Sequence, residues 1–451
     1  MLSVRAFAFS LFVLLPLHAA VVGVSKPAES LTEAHVMALP VAQRGAWLDY
    51  LRRSAEQMRA DKAALAVERI GMKEIPPLPK QHFSARSIPL RGTPEFYRSN
   101  EARHIGDVIL SFQTAAGGWS KNLDMSGPAR MRGQSYATAN LAPMGSGPGD
   151  FDEAADESWH YVGTLDNDAT NTELRFLAEL SAALPGHEGN AYRASFLRGL
   201  EYLLHAQFPN GGWPQVWPLE GGYHDAITFN DDAVTESAET LTLAAKGERV
   251  AGAVESQQAI EDYSFVPAAL RVRAKTAAAK ALECILAAQI RVPADEGKGT
   301  VLTVWAQQHD PLTLAPVAAR NFEPAALSSG ESASVMEYLM SLDHPSPAVV
   351  RSVDAAAAWF EAHRIMGYAW SGGRDTASGR RLTSSPGAGP LWARYYSLTT
   401  GKPIFGDRDK TIHDDVMELS IERRNGYAWY GSGPERTLKT YAAWKSAHTA
   451  K

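Results

Sequence analysis

The sequence predicts a mainly α protein, an α/α toroid that forms an incomplete helical barrel with long irregular loops around a cleft. Three observations predict this fold: a helix–loop unit that recurs along the chain, long stretches in which apolar residues follow helical spacing, and the lack of a regular series of short alternating strands in the sequence. A β-sandwich or a β-helix would need such a series, so both are disfavoured.

The recurring unit is a helix that ends in a glutamine, followed by a short loop and a tryptophan. The first copy spans residues 113–119 and the second spans residues 207–213, with the same spacing between Gln and Trp. A third, weaker copy spans residues 289–305 and has a longer loop. A unit repeated at long intervals indicates helix pairs arranged in sequence. We expect the Gly-Trp loops to collect at one end of the molecule, where loops commonly form a binding cleft.

The first twenty residues predict an export signal. Arg5 precedes an apolar run over residues 6–17, and small residues follow at Ala19 and Ala20. We therefore predict a signal peptide over residues 1–20, a secreted or periplasmic location, and no membrane association after the signal is removed. An uncleaved anchor is the alternative, although the apolar run is short for a membrane span.

A proline-rich segment divides the rest of the chain. Residues 30–70 have the pattern of one or two amphipathic helices, and the sequence IPPLPK at residues 75–80 interrupts that pattern. We predict a helical extension and linker over residues 21–90. The main α/α domain is predicted over residues 91–445.

The composition is that of an ordinary globular protein, with 45% hydrophobic and 21% charged residues. The net charge of −6 argues against a nucleic acid partner, because proteins that bind nucleic acids usually carry a basic excess. An acidic sugar chain is still compatible with this charge, since local arginines and a divalent cation can reverse the field inside one cleft. The single cysteine, Cys284, lies in an apolar helical stretch and is interpreted as a packing residue.

Two loops place carboxylates just before predicted helix starts. Asp166 and Asp168 precede one helix, and Asp231 and Asp232 precede the next helical stretch. Helix capping is the simple explanation, and residues 170–173 have the spacing of a capping box. A shared site of oxygen ligands is the alternative, because a hard cation needs several oxygens from separate segments.

Three arginines lie beside aromatic residues in the second half of the chain. Arg320 precedes Phe-Glu-Pro, Arg394 lies in Trp-Ala-Arg-Tyr-Tyr, and Arg408 lies in Gly-Asp-Arg-Asp. Arginine forks match carboxylates in two-point contacts, and aromatic rings suit the faces of sugars. A surface ion pair is the simple alternative for each arginine.

At these loops the sequence resembles the family 10 pectate lyases, which have a helical catalytic module. The resemblance runs over most of residues 95–440. The matching motifs are GGWSKN (117–122), TLDNDAT (164–170), FPNGGWPQ (208–215), ITFNDDA (227–233), ARNFEP (319–324), WARYY (392–396) and PIFGDRD (403–409). Together these motifs are specific, whereas each alone is weak.

The resemblance implies cleavage of polygalacturonate by a calcium-assisted β-elimination, with the 91–445 domain as the catalytic one. Matching positions imply that Asp166 and either Asp231 or Asp232 hold Ca2+, and that Arg320 is the base. Substrate contacts are implied for Lys121, Asn122, Trp213, Arg394 and Arg408. We also expect a monomer.

The sequence departs from the family pattern in three places. Asp168 stands where a glycine is expected, residues 247–265 form an insertion, and residues 21–90 lie outside the resemblance. The implied base is also chemically demanding, because arginine normally keeps its proton up to a pKa above about 12. If Arg320 stays charged, it would stabilise the enolate, and another group would be the base.

Three other functions are compatible with parts of this pattern. A glycoside hydrolase on an α/α toroid would use a pair of the loop carboxylates. A non-catalytic sugar-binding module would use the tryptophans and arginines without cleaving the chain. A terpenoid-cyclase-like enzyme would share the helical toroid, but export argues against its substrate.

Overall fold

A computed structural model describes residues 21–82, 87–90, 92–139, 149–251, 260–294, 299–373 and 378–449. The signal peptide predicted over residues 1–20 lies outside the described residues. In the described ranges, no helix combines the length and the apolar character that a bilayer crossing requires.

The predicted mainly α fold is confirmed. The α-helices in the described ranges are α1 (Glu33–Met37), α2 (Val41–Arg69), α3 (Pro94–Tyr97), α4 (Asn100–Phe112), α5 (Asn171–Ala183), α6 (Asn190–Ala206), α7 (Ala233–Lys246), α8 (Ala268–Ala288), α9 (Ser329–Ser341), α10 (Pro347–Ala362), α11 (Ile421–Gly426) and α12 (Gly433–Thr449). Helix α5 packs on α6, α7 on α8, and α9 on both α10 and α12, while α4, α6, α8 and α10 contact one another in that order. Helix pairs in sequence are the arrangement expected of an α/α toroid.

The strands are short and lie between and after the helices. They are β1 (Val21–Val24), β2 (Ile227–Thr228), β3 (Arg249–Ala251), β4 (Ile260–Asp262), β5 (Arg291–Pro293), β6 (Thr300–Leu302), β7 (Gln308–His309), β8 (Leu327–Ser328), β9 (Tyr368–Ser371), β10 (Arg381–Ser384), β11 (Trp392–Ala393), β12 (Tyr395–Tyr396), β13 (Pro403–Gly406), β14 (Thr411–His413) and β15 (Tyr430–Gly431). The largest sheet has the order β1-β14-β13-β12-β8 and is antiparallel. Arg394 therefore directly precedes β12, and Arg408 lies on the turn between β13 and β14.

The tryptophan of each repeat fastens the loop to its own helix. The indole Nε1 of Trp119 donates to the carbonyl oxygen of Ile109 at 2.7 Å, and that of Trp213 donates to Leu203 at 2.8 Å. Both indole rings are fully buried in the hydrophobic core. The prediction that Trp213 contacts substrate is therefore wrong, because its ring faces are covered by the core and its one polar atom is already bonded.

The glutamine of each repeat reaches forward to a later helix. Gln113 Nε2 donates to the carbonyl oxygen of Ser195 on α6 at 2.9 Å, and Gln207 Nε2 donates to Ala277 on α8 at 2.9 Å. In the third copy, the same atom of Gln289 donates to a carbonyl oxygen of α10 at 3.0 Å. The glutamine side chains of the repeat thus form hydrogen bonds that join α4, α6, α8 and α10 in sequence.

The first glycine of each Gly-Gly-Trp loop is required by close packing. Gly117 and Gly211 have φ angles of 103° and 98°. A Cβ on Gly117 would lie 2.4 Å from the carbonyl oxygen of Arg198, and one on Gly211 would lie 2.1 Å from that of Lys280. The backbone of each loop therefore lies directly against a helix, at a distance that only glycine permits.

The segment that we predicted to be an N-terminal extension packs on the toroid helices. Strand β1 pairs with β14, and Trp47 and Tyr50 of α2 belong to the same hydrophobic core as the toroid helices. The Tyr50 hydroxyl donates to the carbonyl oxygen of Ala206 at 2.9 Å, and Ser54 Oγ accepts from the amide of Leu219 at 2.8 Å. These contacts connect the extension to the loop that follows α6.

The insertion over residues 247–265 also joins the core. Its described part forms the β3–β4 hairpin, and Glu261 on β4 is 2% exposed. Glu261 lies 3.5 Å from the guanidinium of Arg175 on α5 and accepts a hydrogen bond from Tyr263. The insertion therefore contributes charge to a buried cluster on α5.

Glu179 belongs to the same cluster and is 2% exposed. Its carboxyl group accepts a hydrogen bond from the hydroxyl of Tyr97. Burial raises the pKa of Glu179 to about 8, although the hydrogen bond from Tyr97 acts in the opposite direction. Folding therefore keeps a proton on a carboxyl group that would be ionised in the unfolded chain.

We expect Glu179→Gln to remove a pH-dependent loss of stability. The pKa of Glu179 is 4.5 in the unfolded chain and about 8 in the folded chain. Because the unfolded chain therefore loses this proton at lower pH, the free energy of unfolding falls as pH rises between those two values. One unit of pKa corresponds to about 1.4 kcal/mol, so the parent should lose a few kcal/mol relative to the variant. Denaturant unfolding at about pH 5 and about pH 9 measures this difference, with the exposed Glu283→Gln as control. Parallel pH curves for parent and Glu179→Gln would contradict it.

Candidate active site

The two acidic turns predicted from the sequence meet in the fold. Asp166 lies in a single 3-10 turn before α5, and Asp231 lies in a similar turn before α7. The amide of Asn167 donates to Asp231 Oδ2 at 3.3 Å, and the two aspartic carboxyl groups share a hydrogen bond. Asp232 faces Ser334 on α9, and burial raises the pKa of the Asp232 carboxyl group overall, although Ser334 acts to lower it. The structure therefore brings Asp166 to Asp231, while Asp232 contacts a different helix.

Backbone strain concentrates at these turns. Ten non-glycine residues of the described ranges have positive φ, and six of them lie here: Asn122, Asn167, Asp168, Thr170, Asp231 and Asp232. Asn and Asp tolerate this conformation better than most residues, whereas the β-branched Thr170 does not. Strained backbone of this kind clusters at binding and catalytic sites.

The possible capping box over residues 170–173 does not form. The helix start at Thr170 has no side-chain cap, and Thr170 Oγ1 instead accepts from the amide of Trp119 at 3.1 Å. Helix capping alone therefore does not explain the acidic turn. The Thr170 hydroxyl joins the turn to the first Gly-Gly-Trp loop.

Lys121 from that loop neutralises Asp166. Its Nζ lies 2.6 Å from Asp166 Oδ2 and 3.2 Å from the centre of the Tyr161 ring, and Gln215 Nε2 donates to Asp166 Oδ1 at 2.9 Å. Burial raises the pKa of Asp166, but Lys121 and the other donors lower it below its ordinary value overall. The adjacent Asn122 accepts from the side chain of Asn167 at 2.9 Å. Lys121 and Asn122 thus lie at the acidic turns.

Asp231 is in the opposite electrostatic situation. Asp231 is exposed to the cleft. Two factors nevertheless raise the pKa of its carboxyl group, namely its enclosure by the cleft walls and the negative charge of Asp166. Two carboxylates this close do not both ionise easily, and a bound cation would relieve the repulsion. The carboxyl groups of Asp166 and Asp231 can therefore accept a further positive charge in addition to that of Lys121.

Each predicted arginine is paired with a glutamate. Arg320 makes two hydrogen bonds to Glu323, at 2.6 and 2.9 Å, and Arg394 bonds to the buried Glu331. Arg408 bonds to Glu422 at 2.9 and 3.1 Å. Because a guanidinium has five N–H groups, these pairs fix the orientation of each arginine and leave donors for another ligand.

The arginines converge on two aromatic rings. The guanidinium carbons of Arg320, Arg408 and Arg423 lie 4.9, 5.4 and 4.0 Å from the centre of Phe322. That of Arg394 lies 4.7 Å from the centre of Tyr427, and Arg423 is 5.3 Å from it. The side chains of these four arginines therefore lie together around the two rings. We call Arg320, Arg394, Arg408 and Arg423 the arginine cluster.

The arginine cluster lies beside the carboxylate pair. The amide of Phe229, two residues before Asp231, donates to the carbonyl oxygen of Gln307 at 2.9 Å, and the side chain of Gln307 accepts from the hydroxyl of Tyr427 at 3.4 Å. The charge of Arg320 also acts to lower the pKa of Asp166. Burial lowers the pKa of Arg320 itself, but the charge and hydrogen bonds of Glu323 raise it well above the ordinary value overall. Arg320 is thus a protonated cation in this arrangement.

Sequence reasoning missed Arg423, which is 4% exposed. Its Nε has no hydrogen-bond partner among the residues that the structure describes, and the nearest atoms of its ion pair with Glu422 are 3.9 Å apart. Burial lowers the pKa of Arg423, and the charges of Arg408 and Arg320 lower it further, so that it lies below the ordinary value overall. Only its position beside the Gly-Tyr-Ala-Trp segment at 426–429 marked it in the sequence.

A group of histidines and tyrosines was also missed. The hydroxyl oxygens of Tyr161 and Tyr223 lie 2.6 Å apart, and both hydroxyls lie within hydrogen-bond distance of Asp152 Oδ1. His160 and His224 lie next to them in the chain and face the same carboxylate. A signal was present in the sequence, since a His-Tyr or Tyr-His pair precedes each acidic turn by five to eight residues.

Comparisons with known proteins show what this chain is similar to. The model of the pectic acid lyase family matches residues 113–438. A solved structure of the family 10 polysaccharide lyase from Cellvibrio cellulosa is similar at 29% identity and a TM-score of 0.59, over 80% of this chain and 98% of that chain. An aspartate-to-alanine mutant of that enzyme, in complex with trigalacturonic acid, gives the same identity and TM-score over 78% of this chain and 95% of that chain. No curated protein matches the sequence.

We expect Lys121→Met to destabilise the protein by about 3 kcal/mol, because removing one partner of a buried ion pair leaves the other charge uncompensated. The matched control is Lys62→Met. Lys62 pairs with Asp156 at the same 2.6 Å, but both side chains are about 40% exposed, so the cost should be about 0–1 kcal/mol. Denaturant unfolding measures both values.

A second substitution tests the cause of that loss. Adding Asp166→Asn to Lys121→Met removes the unpaired carboxylate and should restore part of the lost stability. If the double variant is as unstable as the sum of the two single variants, the ion pair does not account for the effect.

Proposed function

Because this chain belongs to the pectic acid lyase family and is therefore a polysaccharide lyase, we propose that it cleaves polygalacturonate by a calcium-assisted β-elimination in the cleft between the acidic turns and the arginine cluster. The observation that carries the proposal is the proximity of a crowded carboxylate pair to four arginines. The trigalacturonic acid in the similar Cellvibrio cellulosa structure supports an acidic galacturonate chain as substrate. Acidic sugars suit the arginines, and a cation suits the carboxylates.

The oxygens around Asp166 and Asp231 fit a calcium ion. Gln215 and Asn230 each donate an amide hydrogen to one of these carboxylates, and the amide oxygens of both are buried with no donor in the described residues. Calcium takes several oxygen ligands from separate segments, so Asp166, Asp231 and these amides would hold it. Of the two aspartates considered, Asp231 is favoured, because it contacts the Asp166 turn through the amide of Asn167, whereas Asp232 faces α9. When bound, calcium would withdraw charge from the uronate carboxylate and make the C5 proton more acidic.

The reaction consumes no water. A base takes the proton from C5 of the uronate, a double bond forms between C4 and C5, and the C4–O bond breaks with its electrons on the departing oxygen. Negative charge develops on the uronate carboxylate as the proton leaves. Arg394 and Arg408, held in place by Glu331 and Glu422, would grip substrate carboxylates in two-point contacts.

Arg320 is the proposed catalytic arginine, at the junction of the two halves of the site. As a base it must first lose a proton, and its pair with Glu323 opposes that loss. Positive charge from calcium and from the rest of the arginine cluster acts in the other direction. If the pair with Glu323 stays closed, Arg320 remains a cation and stabilises the enolate.

Arg423 is then the second candidate for the base. The pKa of Arg423 lies below the ordinary value, unlike that of Arg320, and its Nε has no hydrogen-bond partner in the described part of the chain. Its guanidinium also shares the rings of Phe322 and Tyr427 with the other arginines. The two assignments differ in which substitution abolishes proton abstraction.

The carboxylate pair is poorly suited to glycoside hydrolysis. Hydrolases of that kind separate their two carboxyl groups by about 5–5.5 Å or about 6.5–9.5 Å. Asp166 and Asp231 instead share a hydrogen bond, so they are too close to flank a sugar and a water. Export to the periplasm or the medium, action as a monomer and a catalytic domain over residues 91–445 complete the proposal.

We expect Arg320→Ala to lower kcat by at least about 100-fold, since a positioned acid, base or charge-stabilising group contributes on that scale. The measurement is the rise in ultraviolet absorbance from the unsaturated product on polygalacturonate. The matched control is Arg364→Ala, because Arg364 has the same i,i+3 pairing with a glutamate, Glu361, outside the arginine cluster. Near-parental activity of Arg320→Ala would contradict the role, and a loss confined to Arg423→Ala would move the base to Arg423.

We expect Asp231→Asn to raise the calcium concentration needed for half-maximal activity by more than about tenfold, because the site loses a charged oxygen ligand. Titration of activity with calcium after chelator treatment measures the effect. Asp343→Asn is the control, since Asp343 lies in an exposed pair with Lys246. A calcium dependence equal to that of the parent would remove Asp231 as a ligand.

A further inference from the structure

Asp152, His160 and His224 place three potential metal ligands around one point. His224 Nε2 lies 3.3 Å from Asp152 Oδ1, and His160 Nε2 lies 3.7 Å from the same oxygen. All three ligand atoms lie within 4.8 Å of one another. Both histidines are buried, and Asp152 is partly buried.

The second nitrogen of each histidine is held by an oxygen. His160 Nδ1 contacts a carboxylate oxygen of Glu220, and His224 Nδ1 lies 3.3 Å from the carbonyl oxygen of Gly221. These contacts direct both Nε2 atoms toward Asp152. Histidines that bind metals characteristically use the free ring nitrogen in this way, because the outer contact fixes the tautomer and the ring orientation.

The spacing suits a small tetrahedral ion. Bonds of about 2.0–2.1 Å from zinc to nitrogen or oxygen place neighbouring ligand atoms about 3.4 Å apart. The two observed separations, 3.3 and 3.7 Å, bracket that value. His224 is 4% exposed, and its Nε2 has no aligned hydrogen-bond partner in the described residues. That atom is therefore a buried donor or acceptor aimed at the common point.

The carboxylate is also supported as a ligand would be. Asp152 Oδ1 accepts hydrogen bonds from the hydroxyls of Tyr161 and Tyr223. Ligating carboxylates are commonly oriented by such outer hydrogen bonds. Three protein ligands leave a fourth tetrahedral position for water.

We propose that Asp152, His160 and His224 bind a zinc-like divalent ion at a site separate from the acidic turns. Two imidazoles and one carboxylate match zinc and its neighbours in the first transition row, whereas calcium prefers oxygen ligands alone. The ion would join the loop at 152–161 to the loop at 220–224. The ammonium group of Lys121 lies over the ring of Tyr161. A bound ion would therefore stabilise the position of that ring and, through it, the Lys121–Asp166 ion pair. The proposal does not depend on the lyase chemistry.

The competing explanation is a metal-free ion pair. Burial lowers the pKa of His224, but Asp152 and Glu220 raise it more, so a protonated imidazole would also fit beside the carboxylate. The two explanations differ in one measurable respect. A metal site binds zinc stoichiometrically, and an ion pair does not.

The first experiment uses zinc alone as the probe. The full chain is stripped with a chelator and titrated calorimetrically, and bound metal is counted after dialysis. We expect one zinc per chain, retained in excess calcium. His160→Ala and His224→Ala should weaken binding by more than about 100-fold and Glu220→Gln by about 10–100-fold, since outer partners alone are worth that much. His205→Ala, at a half-exposed histidine beside Glu201, should bind like the parent.

A second measurement covers the case in which a histidine variant fails to fold. Cobalt(II) added to the stripped parent protein should give the strong visible absorption of a tetrahedral centre with imidazole ligands. Failure of the parent to bind zinc, displacement by calcium, a cobalt spectrum typical of an octahedral all-oxygen site, or unchanged binding in folded His160→Ala and His224→Ala would each overturn the proposal.

Discussion

The contact between Lys121 and Asp166 is the interaction on which the cleft depends. It joins the first Gly-Gly-Trp loop to the turn before α5, and the shared hydrogen bond between Asp166 and Asp231 extends the connection to the turn before α7. Without the ammonium group, the two carboxyl groups would face each other with no ion pair to a positive side chain of the described ranges. The positive φ angles at these turns persist because contacts on several sides hold them.

The site combines two opposite charge arrangements. On one side, a pair of carboxylates repel each other and favour a cation. On the other, four arginines surround Phe322 and Tyr427, and three of them are oriented by glutamates. An acidic sugar chain with a divalent cation matches both sides at once, because the sugar carboxylate meets the arginines while the cation meets the aspartates. Under the proposed function, this complementarity would let a chain of net charge −6 bind a polyanion.

Much of the fold could be predicted because its signals are local. The Gln–Trp spacing marks a helix end and a glutamine that bonds to a later helix. The position of acidic residues just before a helix start marks Asp166 and Asp231. Trp213 was misassigned because the same loop signal fits an exposed sugar platform and a buried indole, and only packing decides between them. Arg423 and His224 were missed because their importance comes from neighbours brought together by tertiary structure. Sequence spacing contains no information about those neighbours.

The β3–β4 hairpin has a bearing on efforts to reduce the protein to a minimal catalytic unit. The hairpin lies in the segment that we identified as an insertion relative to the family pattern, so deleting it would be the obvious way to shorten the protein. Yet Glu261 supplies the negative charge that accompanies the partly buried guanidinium of Arg175 on α5, the helix that begins just after the Asp166 turn. A shortened version would leave Arg175 with the longer contact to Glu236, at 4.0 Å, so the hairpin contributes to the charge balance of the helix that follows the Asp166 turn.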